Sequence, residues 1–104
     1  MARFLVEAQR EFFHEIDYYE TRSRTLSVRF VKAVQQASDK IGEAPLAWPV
    51  TVVPGVPDGL VRHLPLPPFP HAVIYVTEPV LTIVAVCSGR RRPLYWVKRI
   101  SRIQ

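Results

Sequence analysis

The chain has 104 residues, 48% hydrophobic and 22% charged, which predicts one domain over 1–104 and excludes an intrinsically disordered polymer. Its single cysteine, Cys87, excludes an internal disulfide and any need for an oxidising compartment. The apolar runs are strand-sized, far short of the roughly 20 residues of a membrane helix. Glu7, Glu11, Glu15, Asp17 and Glu20 make the opening unlike a secretory leader, so a cytoplasmic protein without membrane partners is expected.

Net charge is +5, and it is unevenly placed. Arg90, Arg91, Arg92, Lys98, Arg99 and Arg102 crowd the last fifteen residues without an acid, while the other eight basic residues share the chain with all nine acids. A patch of this kind favours a polyanion or an acidic protein.

Residues 3–6 read as a short first strand or a lead-in. From Glu7 the period becomes helical: Ala8, Phe12, Ile16 and Tyr19 share one face, and this helix should end near Thr21–Ser23. A second helix is expected from Leu26 to Gly42, with Leu26, Phe30, Ala33, Ala37 and Ile41 as its stripe and Pro45 beyond its end. The short break between them predicts an antiparallel helical hairpin.

Pro45, Pro49, Pro54 and Pro57 make residues 43–60 irregular, with Val50–Val53 as a possible edge piece and Pro57-Asp58-Gly59 as a turn. The period then changes to two. Strands are expected over 60–66, 71–77 and 80–87, the last so uniformly apolar that it should be buried on both faces. An antiparallel meander is the simplest arrangement. Pro93 should open a terminal helix over 94–100. The predicted fold is therefore α+β, an N-terminal helical hairpin on a small antiparallel sheet with a short C-terminal helix.

Chemistry is sparse. There is no phosphate-binding glycine loop, and His14, His63, His71 and Cys87 have no metal-ligand spacing, so neither a cofactor nor a metal is expected. Cys87 reads as a buried structural thiol, and Ser88 has no evident base–orienter pair. His63 and His71 lie on adjacent strands and could approach each other. What remains is Arg, His and Tyr near the strand ends: Arg62, His71, Arg91 and Tyr95. Such groups can neutralise a phosphate and move a proton, so an RNA-cleaving site without a metal is conceivable. Tyr95 and Trp96 equally suit locking the last helix onto the sheet.

Three stretches together resemble the ParE/RelE family of toxins. Glu7-Ala8 through Tyr18-Tyr19-Glu20, then Phe30, is similar to its opening pattern. Arg62-His63-Leu64 leading into Phe69-Pro70-His71-Ala72-Val73-Ile74-Tyr75 is similar to its middle strands. Ala85-Val86-Cys87-Ser88, with Arg91, Pro93, Tyr95 and Trp96, is similar to its closing motif. The chain departs at Ser88, where the family often has histidine.

The resemblance implies a plasmid-stabilisation or growth-inhibiting toxin held by a cognate antitoxin, with the basic residues 90–102 as the docking area. It leaves three functions open. A ParE-like protein would inhibit DNA gyrase and replication without chemistry of its own. A RelE-like one would be a ribosome-dependent messenger-RNA endonuclease using Arg62, His71, Arg91 and Tyr95. A non-toxic member would only bind the antitoxin.

Overall fold

In the computed structural model, which describes residues 2–103, the apolar stripes become two antiparallel helices, α1 (Val6–Glu20) and α2 (Arg24–Glu43). Ser23 separates them and caps α2: its hydroxyl accepts from Leu26 N–H at 3.3 Å, satisfying one of the donors a helix start leaves open. On the facing sides Ala8, Tyr19, Phe30, Val34, Ala37 and Ile41 are buried.

Four strands follow the order β1-β4-β3-β2, where β1 is Arg3–Phe4, β2 Val61–Pro65, β3 His71–Val76 and β4 Thr82–Ser88. β2, β3 and β4 form the expected meander. β1, however, runs parallel to β4, pairing Arg3 with Thr82 and Phe4 with Ile83, so the sheet is mixed rather than antiparallel. The reason lies in the connection: the whole helical hairpin intervenes between β1 and the meander, and the chain start reaches the outer edge of β4 in the direction β4 itself runs.

The helical hairpin covers one face of the sheet. Val73, Tyr75, Ile83 and Val86 point toward it and join its core. Ile74, Val76, Val84 and Ala85 belong to a second cluster on the other face, closed by Trp96 and Ile100 and by Val53 and Leu60 from the irregular segment. The register slips by one between Ile74–Ala85 and Tyr75–Ile83, leaving Val84 as an extra residue in β4. Burial of β4 on both faces follows, as its composition predicts: Ile83, Val84 and Ala85 have no exposed surface.

The irregular segment does provide an edge piece. Val50 bridges Arg62, and Thr51 N–H donates to Val61 O at 2.8 Å. The expected turn is present, with Gly59 at φ 84°, a conformation glycine adopts without penalty.

The C-terminal helix differs from expectation. α3 spans Val97–Ile103, and Pro93–Trp96 is a turn instead of its first residues. Leu94 has φ 59°, which breaks the right-handed path before a helix can start. That turn lets Trp96 enter the second core while Tyr95 reaches back toward α1. The result is a compact α+β fold of three helices and a four-stranded mixed sheet.

Candidate functional site

β1 covers β4 only at Thr82 and Ile83, so the rest of the β4 edge needs other partners for its backbone. Glu11, at the middle of α1, supplies them. Its Oε1 accepts from Val86 N–H at 3.1 Å, and its Oε2 accepts from the Tyr95 hydroxyl at 2.5 Å. Arg99 of α3 donates to both oxygens at 3.0 Å, and its Nη1 donates also to Val84 O at 3.1 Å. One carboxylate and one guanidinium thus continue the hydrogen bonding of the strand edge and tie α1, β4 and the C-terminal segment together.

The pair is mostly shielded, with side-chain exposures of 12% for Glu11 and 15% for Arg99. Such bidentate, charge-assisted contacts are among the stronger hydrogen bonds in proteins. They also set the local proton affinities. Burial, then the hydrogen bond to Glu11, pushes the Tyr95 hydroxyl far above its ordinary range. Burial and the Glu11 charge raise the Cys87 thiol, so it stays protonated and is a poor nucleophile. For Arg99, burial pulls the other way but is outweighed by Glu11, and the net shift is upward.

Above Glu11 lies an open cleft of about 350 Å³ between α1 and residues 88–95. Arg10, His14 and Glu15 line it from α1; Ser88, Arg91 and Tyr95 line it from the other side. Ser88 is buried and orders the turn: its hydroxyl accepts from Arg90 N–H at 3.2 Å and its carbonyl from Arg91 N–H at 3.1 Å. The guanidinium of Arg91 sits 4.0 Å from the centre of the Tyr95 ring and 4.0 Å from Glu11 Oε2.

Beneath Glu15 is His71, across the ladder from Ser88. Its ring is packed on Phe30 and Tyr19, with centroids 5.0 and 6.0 Å away. Its Nε2 lies 3.3 Å from Glu15 Oε2, but the contact is misdirected, and neither ring nitrogen has a hydrogen-bond partner among the described residues. Burial lowers the proton affinity of His71, opposed by the Glu15 charge, and the net shift is downward. At neutral pH the ring is therefore uncharged.

The four residues considered for phosphodiester chemistry do not converge. Arg91 and Tyr95 share the cleft, and His71 lies just behind it. Arg62 is on β2, two strand spacings (roughly 10 Å) from β4. Its Nη1 donates to Leu46 O at 3.1 Å and Trp48 O at 2.7 Å, holding the segment after α2 against the sheet. His63 and His71 are also apart. His63 pairs across from Ile74, on the face opposite His71, and its Nδ1 is 2.7 Å from Thr51 Oγ1.

The basic patch is divided. Arg99 is clamped by Glu11, and Arg102 is paired with Glu7 of α1, whose carboxyl it holds below the usual range. Arg90 turns to Tyr18, donating to its hydroxyl at 3.1 Å. Arg92 and Lys98 are exposed. Pro93 stands in the turn and Trp96 is buried.

Sequence reasoning missed Glu11. Glu7, Glu11 and Glu15 count there only against a secretory leader, yet they recur every four residues and so form a second stripe beside the apolar one. The acid-free, basic C-terminal segment is its complement, and that pairing was the available signal. No protein-family profile matches this chain, and no curated protein sequence matches it.

Proposed function

We propose that this protein is a ParE-like toxin, an inhibitor of DNA gyrase neutralised by a cognate antitoxin in the cytoplasm. The observation that carries the reading is the use made of the closing motif. Arg91, Pro93, Tyr95 and Trp96 stack, turn and anchor, and the Tyr95 hydroxyl is committed to Glu11. A tyrosine held so far from ionisation, with Arg62 engaged two strands away on β2, is poorly placed for proton transfer on RNA. That favours a binding inhibitor over the RelE-like nuclease. The helical hairpin packed on a three-stranded meander, the α+β arrangement expected from the sequence, supports this reading.

The test is expression of the chain alone from a tightly controlled promoter, following DNA and protein synthesis separately. DNA synthesis should stop first, and the purified protein should inhibit supercoiling by gyrase. Messenger RNA cut at ribosome-bound codons, with protein synthesis failing first, would replace this reading with the nuclease. Unimpaired growth with folded protein would leave only the non-toxic, antitoxin-binding member.

A further inference from the structure

The helical hairpin buries one side against the sheet and leaves apolar surface on the other. Apart from Val6 at the start of α1, its exposed large apolar side chains are Phe13, at 57%, and Val28, at 44%. Both border one groove between the two helices. Two clefts make it up. One, of about 300 Å³, is lined by Ile16, Val28, Val31 and Lys32; the other, of about 430 Å³, by Phe12, Ser38 and Asp39. Gln35 lines both and so marks their junction. Phe13 stacks on Phe12 at 5.9 Å and lies about 60° around α1 from Ile16, which puts it on the rim of the groove. Lys32 and Asp39 are exposed, and among the described residues neither forms an ion pair.

We infer that this face docks a second copy of the chain, with the two α2 helices crossing antiparallel at Gln35. The spacing along α2 is self-complementary about that residue. Val28 and Gly42 stand two helical turns to either side of it, so an antiparallel partner sets each valine against a position without a side chain. Lys32 lies one turn before Gln35 and Asp39 one turn after it, so the same arrangement brings each lysine beside the aspartate of the other copy, twice over by symmetry. A parallel pairing would instead set Lys32 against Lys32 and Asp39 against Asp39. Flanking charges of this kind fix the orientation of packed helices. Phe13 of each copy closes the contact from α1. The face is about 30 Å long and about 20 Å wide, or about 600 Å² per copy, which is the size of a weak, concentration-dependent dimer. The inference is independent of the toxin reading, since it requires neither gyrase nor an antitoxin.

The test is analytical ultracentrifugation of the full chain at physiological salt, from about 1 to 300 µM, which brackets the micromolar affinity expected of an interface this small. The average mass should rise from one copy toward two. Asp39→Lys sets cation against cation at both symmetric positions and should weaken the dimer about tenfold. Combining it with Lys32→Asp restores opposite charges and should bring the affinity back to within about threefold of wild type. Asp58→Lys makes the same change of net charge in the exposed turn before β2 and should have little effect. Phe13→Ser removes an exposed ring, so the chain should stay folded but remain a single copy. A wild type that is monomeric throughout overturns the inference. So does equal weakening by Asp39→Lys and Asp58→Lys, or a charge swap that fails to rescue. A monomeric chain that instead holds an amphipathic helical peptide on this groove would assign the face to a different protein and overturn it as well.

Discussion

The two faces of the sheet are covered by different means. The helical hairpin holds its face by area: Phe30, Val34, Ala37 and Ile41 interlock with Val73, Tyr75 and Val86, and Phe30 alone meets the rings of Tyr19, Phe69 and His71. The C-terminal segment has a smaller apolar footing, chiefly Trp96 and Ile100, and adds a polar clamp in which Glu11 holds Tyr95 and Arg99 around the strand edge. Apolar area is forgiving of any one geometry, whereas a clamp concentrates stability in one carboxylate. The first cover should therefore fail globally and the second locally.

Phe30→Ala and Glu11→Gln put that contrast to the sharpest test. Phe30 has no exposed surface, and truncating such a ring costs about 3–5 kcal/mol. Denaturant unfolding should show that loss as one cooperative transition. Glu11→Gln keeps the shape but leaves the Arg99 charge unpaired. Because both groups retain some solvent contact, the cost should be smaller, about 2–3 kcal/mol. Its distinguishing mark is local: the Val86 amide should exchange with solvent faster than the β3 amides. If Val86 and β3 exchange rise together in Glu11→Gln, the clamp is part of the global core and the contrast collapses.

The same difference decides what could be read from the sequence. The hairpin was legible because apolar residues at helical spacing leave few choices for what they cover. The meander was legible because alternation and a fully apolar run mark β3 and β4. Parallel pairing of β1 was not, since two residues carry no periodicity and their direction is set by the path of everything between. The clamp was not, because Glu11 and Arg99 are 88 residues apart and each is unremarkable alone. Of the candidate site, Arg91 and Tyr95 line one cleft, as their nearness in the closing motif allows. Arg62 could not be separated from them without knowing that β3 lies between β2 and β4.

His71 offers a finer test of the hairpin side, where the core includes a polar ring without a well-directed partner. Its folded proton affinity lies below the ordinary value of 6.5. Below that pH the unfolded chain binds a proton that the folded chain refuses, so stability should be intact above about pH 6.5 and decline as the pH falls. The slope cannot exceed about 1.4 kcal/mol per pH unit for one group. Equilibrium unfolding of the wild type and His71→Leu at pH 7.5 and 5.5 isolates it: the variant should lose less stability on acidification. A loss equal to that of the wild type would mean the titration belongs elsewhere, and that the buried ring is no weaker a point than its apolar neighbours.

The smallest effect concerns the turn that delivers Tyr95 and Trp96 to the C-terminal side. Leu94 is 39% exposed and held at φ 59°, where a residue with a Cβ is disfavoured by about 1–2 kcal/mol. Glycine removes that strain but adds freedom to the unfolded chain, at a cost of about 0.5–1 kcal/mol. Leu94→Gly should therefore raise stability by about 0.5–1 kcal/mol, while Leu94→Ala, which keeps the Cβ, should not. Thermal unfolding of the two variants side by side separates strain from packing. If both lose stability equally, the Leu94 side chain contributes more by contact than its backbone costs, and the C-terminal cover owes more to apolar area than the clamp suggests. If only glycine gains, the turn is a strained connection kept in place by Glu11 on one side and Trp96 on the other.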